Sequence, residues 1–137
     1  MAYDVTFALD LFSGDSDAPE TRAALRALLD ALLAIDVAYL RAHPETPRLY
    51  AAGIPYVAEP PGEERWQDVP TTIKRGRADC EDLAAWRAAE LRVREGVPAT
   101  TGIRWRRMPD GSYRYHIVVE HPDGQIEDPS LVLGMRP

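Results

Sequence analysis

The sequence contains one cysteine, Cys80, among its 137 residues. A single cysteine excludes a disulfide within the chain and a metal cluster held by several thiolates. Positive charge is also scarce, since 16 lysines and arginines face 22 aspartates and glutamates, for a net charge of -6. Proteins that bind nucleic-acid duplexes usually carry a basic surplus, so we expect no nucleic-acid partner.

Long apolar runs are missing as well. No stretch is long enough to span a bilayer, and residues 1–4 lack the basic and apolar regions that open a secretory signal. We therefore expect no membrane partner and a cytoplasmic location, with association with a virion as an alternative. The content of 45% hydrophobic and 28% charged residues is typical of a globular protein, and the length predicts one domain over residues 1–137.

The first residues alternate between apolar and polar side chains. The apolar positions are Tyr3, Val5, Phe7, Leu9 and Leu11. A period of two predicts a β-strand with one buried face, and the turn-forming residues 13–17 predict its end.

Two helices are predicted from apolar spacing and end signals. The first runs from Pro19 to about His43, because Pro44 disfavours helix in the residue before it. The second runs from about Cys80 to Glu95, with Asp79 as its N-cap and Gly96 as its C-terminal stop. Residues 44–70 between them hold six of the 12 prolines and are predicted to form a long loop.

The last third of the chain alternates around two Pro-Asp-Gly turns, which predicts an antiparallel meander. Its three strands are expected at 99–106, at 113–120 and from residue 125. Together these elements predict an α+β fold in which the helix that begins at Cys80 packs on an antiparallel sheet, with a long N-terminal helix in addition. In the long loop, Tyr50, Tyr56 and Trp66 either cap the core or line a substrate site.

Cys80 stands where the second helix begins. The helix dipole and three cationic side chains just upstream favour the thiolate, whereas three neighbouring carboxylates oppose it by like-charge repulsion. The alternative is an inert buried thiol.

His116 and Asp128 fall in the meander, and their relation depends on the turn that joins their strands. A three-residue turn at 122–124 pairs Val118 with Asp128 and sets His116 diagonally across from Asp128 on the same face. A two-residue turn would place them on opposite faces. With the longer turn, Cys80, His116 and Asp128 can serve as nucleophile, base and orienting carboxylate. A zinc site that adds His121 is disfavoured because no short ligand pair is present, and we expect no metal and no cofactor.

Several short segments resemble the transglutaminase-like branch of the papain-like cysteine enzymes. They are Gly76–Leu83, Gly96–Ala99, Tyr115–His116, Asp123–Gly124 and Asp128–Ser130. The resemblance spans about residues 66–131 and implies a papain-like, transglutaminase-like core. It also implies that Cys80 is the nucleophile, that His116 is the general base and acid, and that Asp128 fixes the imidazole. Trp66 and Gln67 are the candidate oxyanion-hole donors, and the alternative for Trp66 is a core aromatic.

The resemblance implies acyl transfer at amide bonds of a protein or peptide substrate. A cysteine peptidase or amidase is expected first, with a cross-linking transglutaminase as the alternative. A binding or assembly module that keeps the fold without catalysis, of bacterial or phage type, is the alternative from another class. The sequence leaves the scissile bond and the oligomeric state open.

One region of this acidic chain is basic. Its arginines are Arg104, Arg106, Arg107 and Arg114. They form either a solvated sheet face or a docking patch for an acidic partner.

Overall fold

The computed structural model describes residues 4–9, 18–60 and 63–136. Within those ranges the fold is α+β, with four helices and a three-stranded antiparallel sheet of order β1-β2-β3. The elements are α1 (Pro19–Ala42), a 3-10 turn (Leu49–Ala51), α2 (Val69–Arg75), α3 (Cys80–Glu95), β1 (Thr100–Arg107), β2 (Tyr113–Glu120), β3 (Ile126–Glu127) and α4 (Pro129–Val132). None of the helices described is both long and apolar enough to cross a bilayer.

Helix α3 is the centre of the molecule. Eleven of its 16 residues are buried, and it packs against both α1 and the sheet. The buried alanines at positions 84, 85, 88 and 89 let these neighbours approach closely, while Trp86 fills the core. Both ends agree with the prediction, since Asp79 and Asp82 form a capping box and Gly96 closes the helix at a φ of 65°.

The sheet has the predicted register. Val119 pairs with Glu127, and the His121 N–H donates to the Gln125 carbonyl at 2.9 Å, so residues 122–124 form the three-residue turn. Odd-numbered side chains of β2, such as Ile117 and Val119, face the core. Even-numbered side chains point to the opposite, outer face, where Val118 is buried and Arg104 of β1 lies opposite His116.

The predicted N-terminal strand is wrong for the part that the structure describes. Residues 4–9 are irregular, and Val5, Phe7 and Leu9 are 68%, 76% and 59% exposed. Tyr3, Leu11 and the predicted turn at 13–17 lie outside the described residues. A period of two produces a strand only where a sheet edge supplies backbone partners, and residues 4–9 pair with no strand in the part of the chain that the structure describes.

Two short helices were not predicted. Helix α2 lies at the end of the predicted loop, and its signals were present in the sequence: Asp68 caps the Thr71 N–H, and Gly76 ends the helix at a φ of 74°. The proline content of the loop obscured them, although proline is well tolerated in a first helical turn. Helix α4 begins directly after β3, so Asp128 caps a helix instead of continuing the third strand.

Candidate functional site

His116 and Asp128 are in contact. The imidazole Nε2 lies 2.8 Å from Asp128 Oδ2, across the diagonal that the register predicted. Asp128 Oδ1 accepts the backbone N–H groups of Ser130 and Leu131 at the start of α4. The carboxylate therefore has two tasks, because one oxygen caps a helix while the other holds the imidazole. The cap fixes the carboxylate in place, so the ring of His116 has a defined orientation.

Cys80 opens α3 and lies against β2. Its side chain is 6% exposed, and the backbone N–H of Ile117, the residue after His116, donates a hydrogen bond to the sulfur. Burial raises the pKa of the Cys80 thiol well above its usual value, and the charges of Glu81 and Asp79 raise it further. The helix dipole does not offset these effects, so the resting residue is a neutral thiol.

Two tyrosines border the same region. Burial raises the pKa of Tyr56 to about 12, and the charges of Asp79, Cys80, Glu81 and Asp128 contribute. The Tyr56 hydroxyl thus lies within electrostatic reach of both Cys80 and Asp128. Tyr115 was not singled out from the sequence. Its hydroxyl is hydrogen-bonded to Glu64, and burial raises its pKa, followed by the charges of Glu81 and Glu64.

Glu81 is the carboxyl group closest to the thiol. Its side chain is 1% exposed and Oε2 lies 3.4 Å from Cys80 Sγ, while Oε1 has no hydrogen-bond partner among the residues that the structure describes. Burial raises the pKa of Glu81 well above its usual value, and Asp82 and Asp79 add to the shift. Nothing in the sequence distinguished Glu81 from a solvated first-turn acid, because its burial depends on the packing of α3 against the sheet.

Replacing Glu81 by glutamine should make stability less dependent on pH. The raised pKa means that the folded protein holds this proton more tightly than the unfolded chain. Its contribution to stability is complete below the unfolded pKa of about 4.3 and is lost as the pH rises toward the folded pKa. In that pH window, the free energy of unfolding of Glu81→Gln should rise relative to that of the wild type by up to about 1.4 kcal/mol per pH unit. Urea unfolding between pH 4 and pH 9 measures this, with Glu95→Gln as the exposed control; parallel curves would contradict it.

The two candidate oxyanion donors have other partners. The Gln67 side-chain amide donates to the Arg77 carbonyl at 2.7 Å and accepts from Arg75 at 2.8 Å. The Trp66 indole N–H points at Glu64 Oε2, 3.4 Å away, while its ring packs against the core, as the alternative interpretation had it. The N–H of Cys80 donates to Asp79 Oδ1 at 2.6 Å. In the resting protein, each of these donors is therefore already engaged with another group.

Tyr50 belongs to a different group of side chains. Its hydroxyl donates to Glu127 Oε2 at 2.5 Å, and the Arg87 guanidinium lies 5.0 Å from the centre of its ring. Arg87 also bonds Glu127 and Glu90, and His121 Nε2 lies 2.9 Å from Glu127 Oε1. This group ties the long loop to α3 and β3, so Tyr50 anchors the loop.

Two groups of side chains contain residue types that bind metal ions. His121 bonds Glu127 on the core-facing side of the sheet, whereas His116 bonds Asp128 on the outer side, so the disfavoured zinc site does not form. Ligand atoms of Asp79, Cys80 and Glu81 do lie within 4.8 Å of one another. However, both Asp79 oxygens already accept backbone N–H groups, one from Cys80 and one from Glu59.

No protein-family model matches the sequence, and neither the curated proteins nor the solved structures contain a match to the chain. The protein can therefore be classified only by the geometry of its fold and its site. The chain is an α+β protein with a buried thiol at the start of its central helix, and with a histidine on β2 that contacts the carboxylate capping α4. Function has to be argued from these side chains, since a fold alone does not determine it.

Proposed function

We propose that the protein is a thiol-dependent acyl-transfer enzyme of the transglutaminase-like, papain-like type, acting on amide bonds of a protein or peptide. The observation that supports this most is the 2.8 Å contact between His116 Nε2 and an Asp128 carboxylate fixed by its helix cap. An imidazole held through Nε2 has Nδ1 left to exchange a proton with a nucleophile. Cys80 is the candidate nucleophile because its sulfur accepts the N–H of the residue after His116, and contact between the sulfur and Nδ1 is itself part of the proposal.

In the proposed reaction the thiol starts neutral. His116 takes the proton of Cys80 as the sulfur attacks the carbonyl carbon, and Asp128 stabilises the imidazolium that forms. The C–N bond then breaks, His116 gives the proton to the departing amine, and a thioester remains. Water acting on the thioester gives peptidase or amidase activity, while a primary amine gives a new amide and restores the thiol. Hydrolysis is the first expectation, and cross-linking by transamidation is the alternative.

The oxyanion of this reaction requires a donor. The Cys80 N–H is available only if the bond to Asp79 yields, and Tyr56 offers a neutral hydroxyl within electrostatic reach. Losing one such donor typically costs about 10²–10³ in rate. We therefore include Tyr56, together with Cys80, His116 and Asp128, in the proposed site.

A binding or assembly module without catalysis is the second candidate, and the burial of Cys80 favours it. A nucleophile that is 6% exposed and whose pKa is raised by burial and by two carboxylates resembles a structural thiol. The two candidates predict opposite reactivity of the same sulfur, so one measurement separates them.

The test is the rate of Cys80 alkylation by iodoacetamide from pH 5 to pH 10. If His116 acts as the base, wild-type alkylation at pH values below the usual thiol range should be faster than that of His116→Ala. His121→Ala is the matched control, because it deletes another histidine paired with a carboxylate at 2.9 Å. Identical profiles for the wild type and His116→Ala, both following an ordinary or buried thiol, would reject the enzyme and leave the binding module.

A further inference from the structure

The outer edge of β1 is open. The His121 N–H bond to the Gln125 carbonyl shows that odd-numbered residues on this side of the sheet turn their backbone groups toward β3. The even-numbered residues of β2 therefore bond β1, and their partners in β1 are also even-numbered. The odd-numbered residues of β1 therefore turn their N–H and C=O groups to the free edge. The Thr101 carbonyl accepts from Arg26 at 2.7 Å, but from Ile103 to Arg107 these groups have no partner among the residues the structure describes. Such an edge is a template for another strand.

Residues 4–9 are a strand sequence without a sheet. Their apolar side chains Val5, Phe7 and Leu9 occur at every second position and are 68%, 76% and 59% exposed. One molecule thus has both an unpaired edge and an exposed segment with the matching period, and within a single copy they do not meet. Each would satisfy the other if the segment came from a second copy.

One antiparallel register of residues 4–9 against β1 matches the side chains on both faces of the sheet. If Phe7 lies opposite Ile103, then Val5 lies opposite Trp105 and Asp4 opposite Arg106. Ile103 and Trp105 are partly buried on the core-facing side, where two apolar side chains would cover them. Arg106 is exposed on the outer face, where a carboxylate would meet it.

The charges on the outer face of the sheet also favour residues 4–9 of a second copy as the added strand. Arg106 lies directly opposite Arg114 in the β1–β2 pair, and like charges in that position repel. In the hairpin, Arg104 has an ion pair at 3.7 Å with Glu120, whereas no carboxylate lies within ion-pair distance of Arg106 or Arg114 among the residues described. Asp4 of an incoming strand would supply the missing charge.

We propose that residues 4–9 of one copy of the chain add as a fourth strand to the β1 edge of a second copy, and that the exchange is reciprocal. Two copies related by a twofold axis close the arrangement, since each gives one strand and receives one. The acidic partner of the basic sheet face is then a second copy of the chain. This dimer does not depend on the chemistry of Cys80.

The test is sedimentation equilibrium of the full chain over a wide range of concentrations, with circular dichroism to show that each variant is folded. The wild type should dimerise, and Phe7→Glu should be monomeric. Asp4→Arg and Arg106→Glu should each weaken the dimer about tenfold, and the double variant should recover most of that loss. Arg41→Glu, an exposed change of the same charge at the end of α1, is the control and should leave the dimer intact.

Three outcomes would overturn the proposal. The wild type could stay monomeric at every concentration, the dimer could persist in Phe7→Glu, or the double charge exchange could fail to restore association. A wild-type monomer in which Phe7→Glu lowers the melting temperature would mean that the segment occupies the edge of its own copy. A dimer lost equally in Arg41→Glu would mean that net charge, not this register, controls assembly.

Discussion

Asp128→Asn should reduce the acylation of Cys80 by about 10²–10⁴-fold and leave the fold almost unchanged. Asparagine keeps an oxygen that can cap α4, but it presents an amide N–H to His116 Nε2 in place of a carboxylate oxygen. The ring must then carry its proton on Nδ1, where it can no longer accept the proton of the thiol, and the charge that stabilises the imidazolium is lost. The burst of p-nitrophenol released from p-nitrophenyl acetate measures the acylation rate.

Two further variants separate the catalytic role of Asp128 from its role as the N-cap of α4. Asp128→Ala should lose the same activity and, in addition, about 0.5–2 kcal/mol of unfolding free energy, because both hydrogen bonds to α4 disappear. Asp123→Asn, which changes an exposed turn carboxylate that accepts the Gln125 N–H, should affect neither quantity. If Asp128→Asn acylates within threefold of the wild type, Asp128 is a helix cap and nothing more.

Glu90→Ala should have the largest effect on stability. The Glu90 side chain is 1% exposed and accepts the Leu49 N–H and the Arg87 guanidinium, each at 2.8 Å. Removing one member of a buried ion pair typically costs about 3–5 kcal/mol, since the remaining groups stay buried without their partner. A loss of that size is a large part of the 5–15 kcal/mol that stabilises most domains. Urea unfolding at neutral pH measures it.

The control for Glu90 is Glu95, which ends the same helix and whose ion pair faces solvent. Glu95 bonds Arg48 at 3.1 Å, with side chains 41% and 51% exposed, so Glu95→Ala should cost no more than about 1 kcal/mol. Glu90→Gln should fall between the two, because the amide can still accept the Leu49 N–H but carries no charge. Equal losses for Glu90→Ala and Glu95→Ala would show that the buried group adds nothing beyond a surface pair.

Much of the fold could be predicted because its signals are local. The ends of α3 follow from Asp79 and Gly96, and the register of β2 with β3 follows from the length of one turn. That register alone predicts that His116 and Asp128 lie together. The prediction of an N-terminal strand failed for the opposite reason. The pattern of that segment is typical of a strand, but it does not specify which sheet edge the strand would join.

The site was harder to predict than the fold because burial is a tertiary property. Three carboxylates beside Cys80 are visible in the sequence, yet only packing shows that Glu81 and Asp82 are 1% exposed. Desolvation then dominates the pKa of the Cys80 thiol, and the helix dipole, which sequence reasoning weighed against the carboxylates, is overcome. Gln67 likewise stood out as a donor, while its bonds to Arg75 and Arg77 could not be read from the sequence.

The meander has a consequence for the order in which the molecule assembles. His116 and Asp128 are 12 residues apart and joined by one tight turn, so their contact requires the closure of a short loop only. Cys80 reaches β2 from much farther along the chain, through the docking of α3. Local contacts generally form before distant ones because their loop-closure entropy is smaller. We therefore expect a folding chain to pair its imidazole and carboxylate first, and to bring Cys80 to β2 only when the core closes.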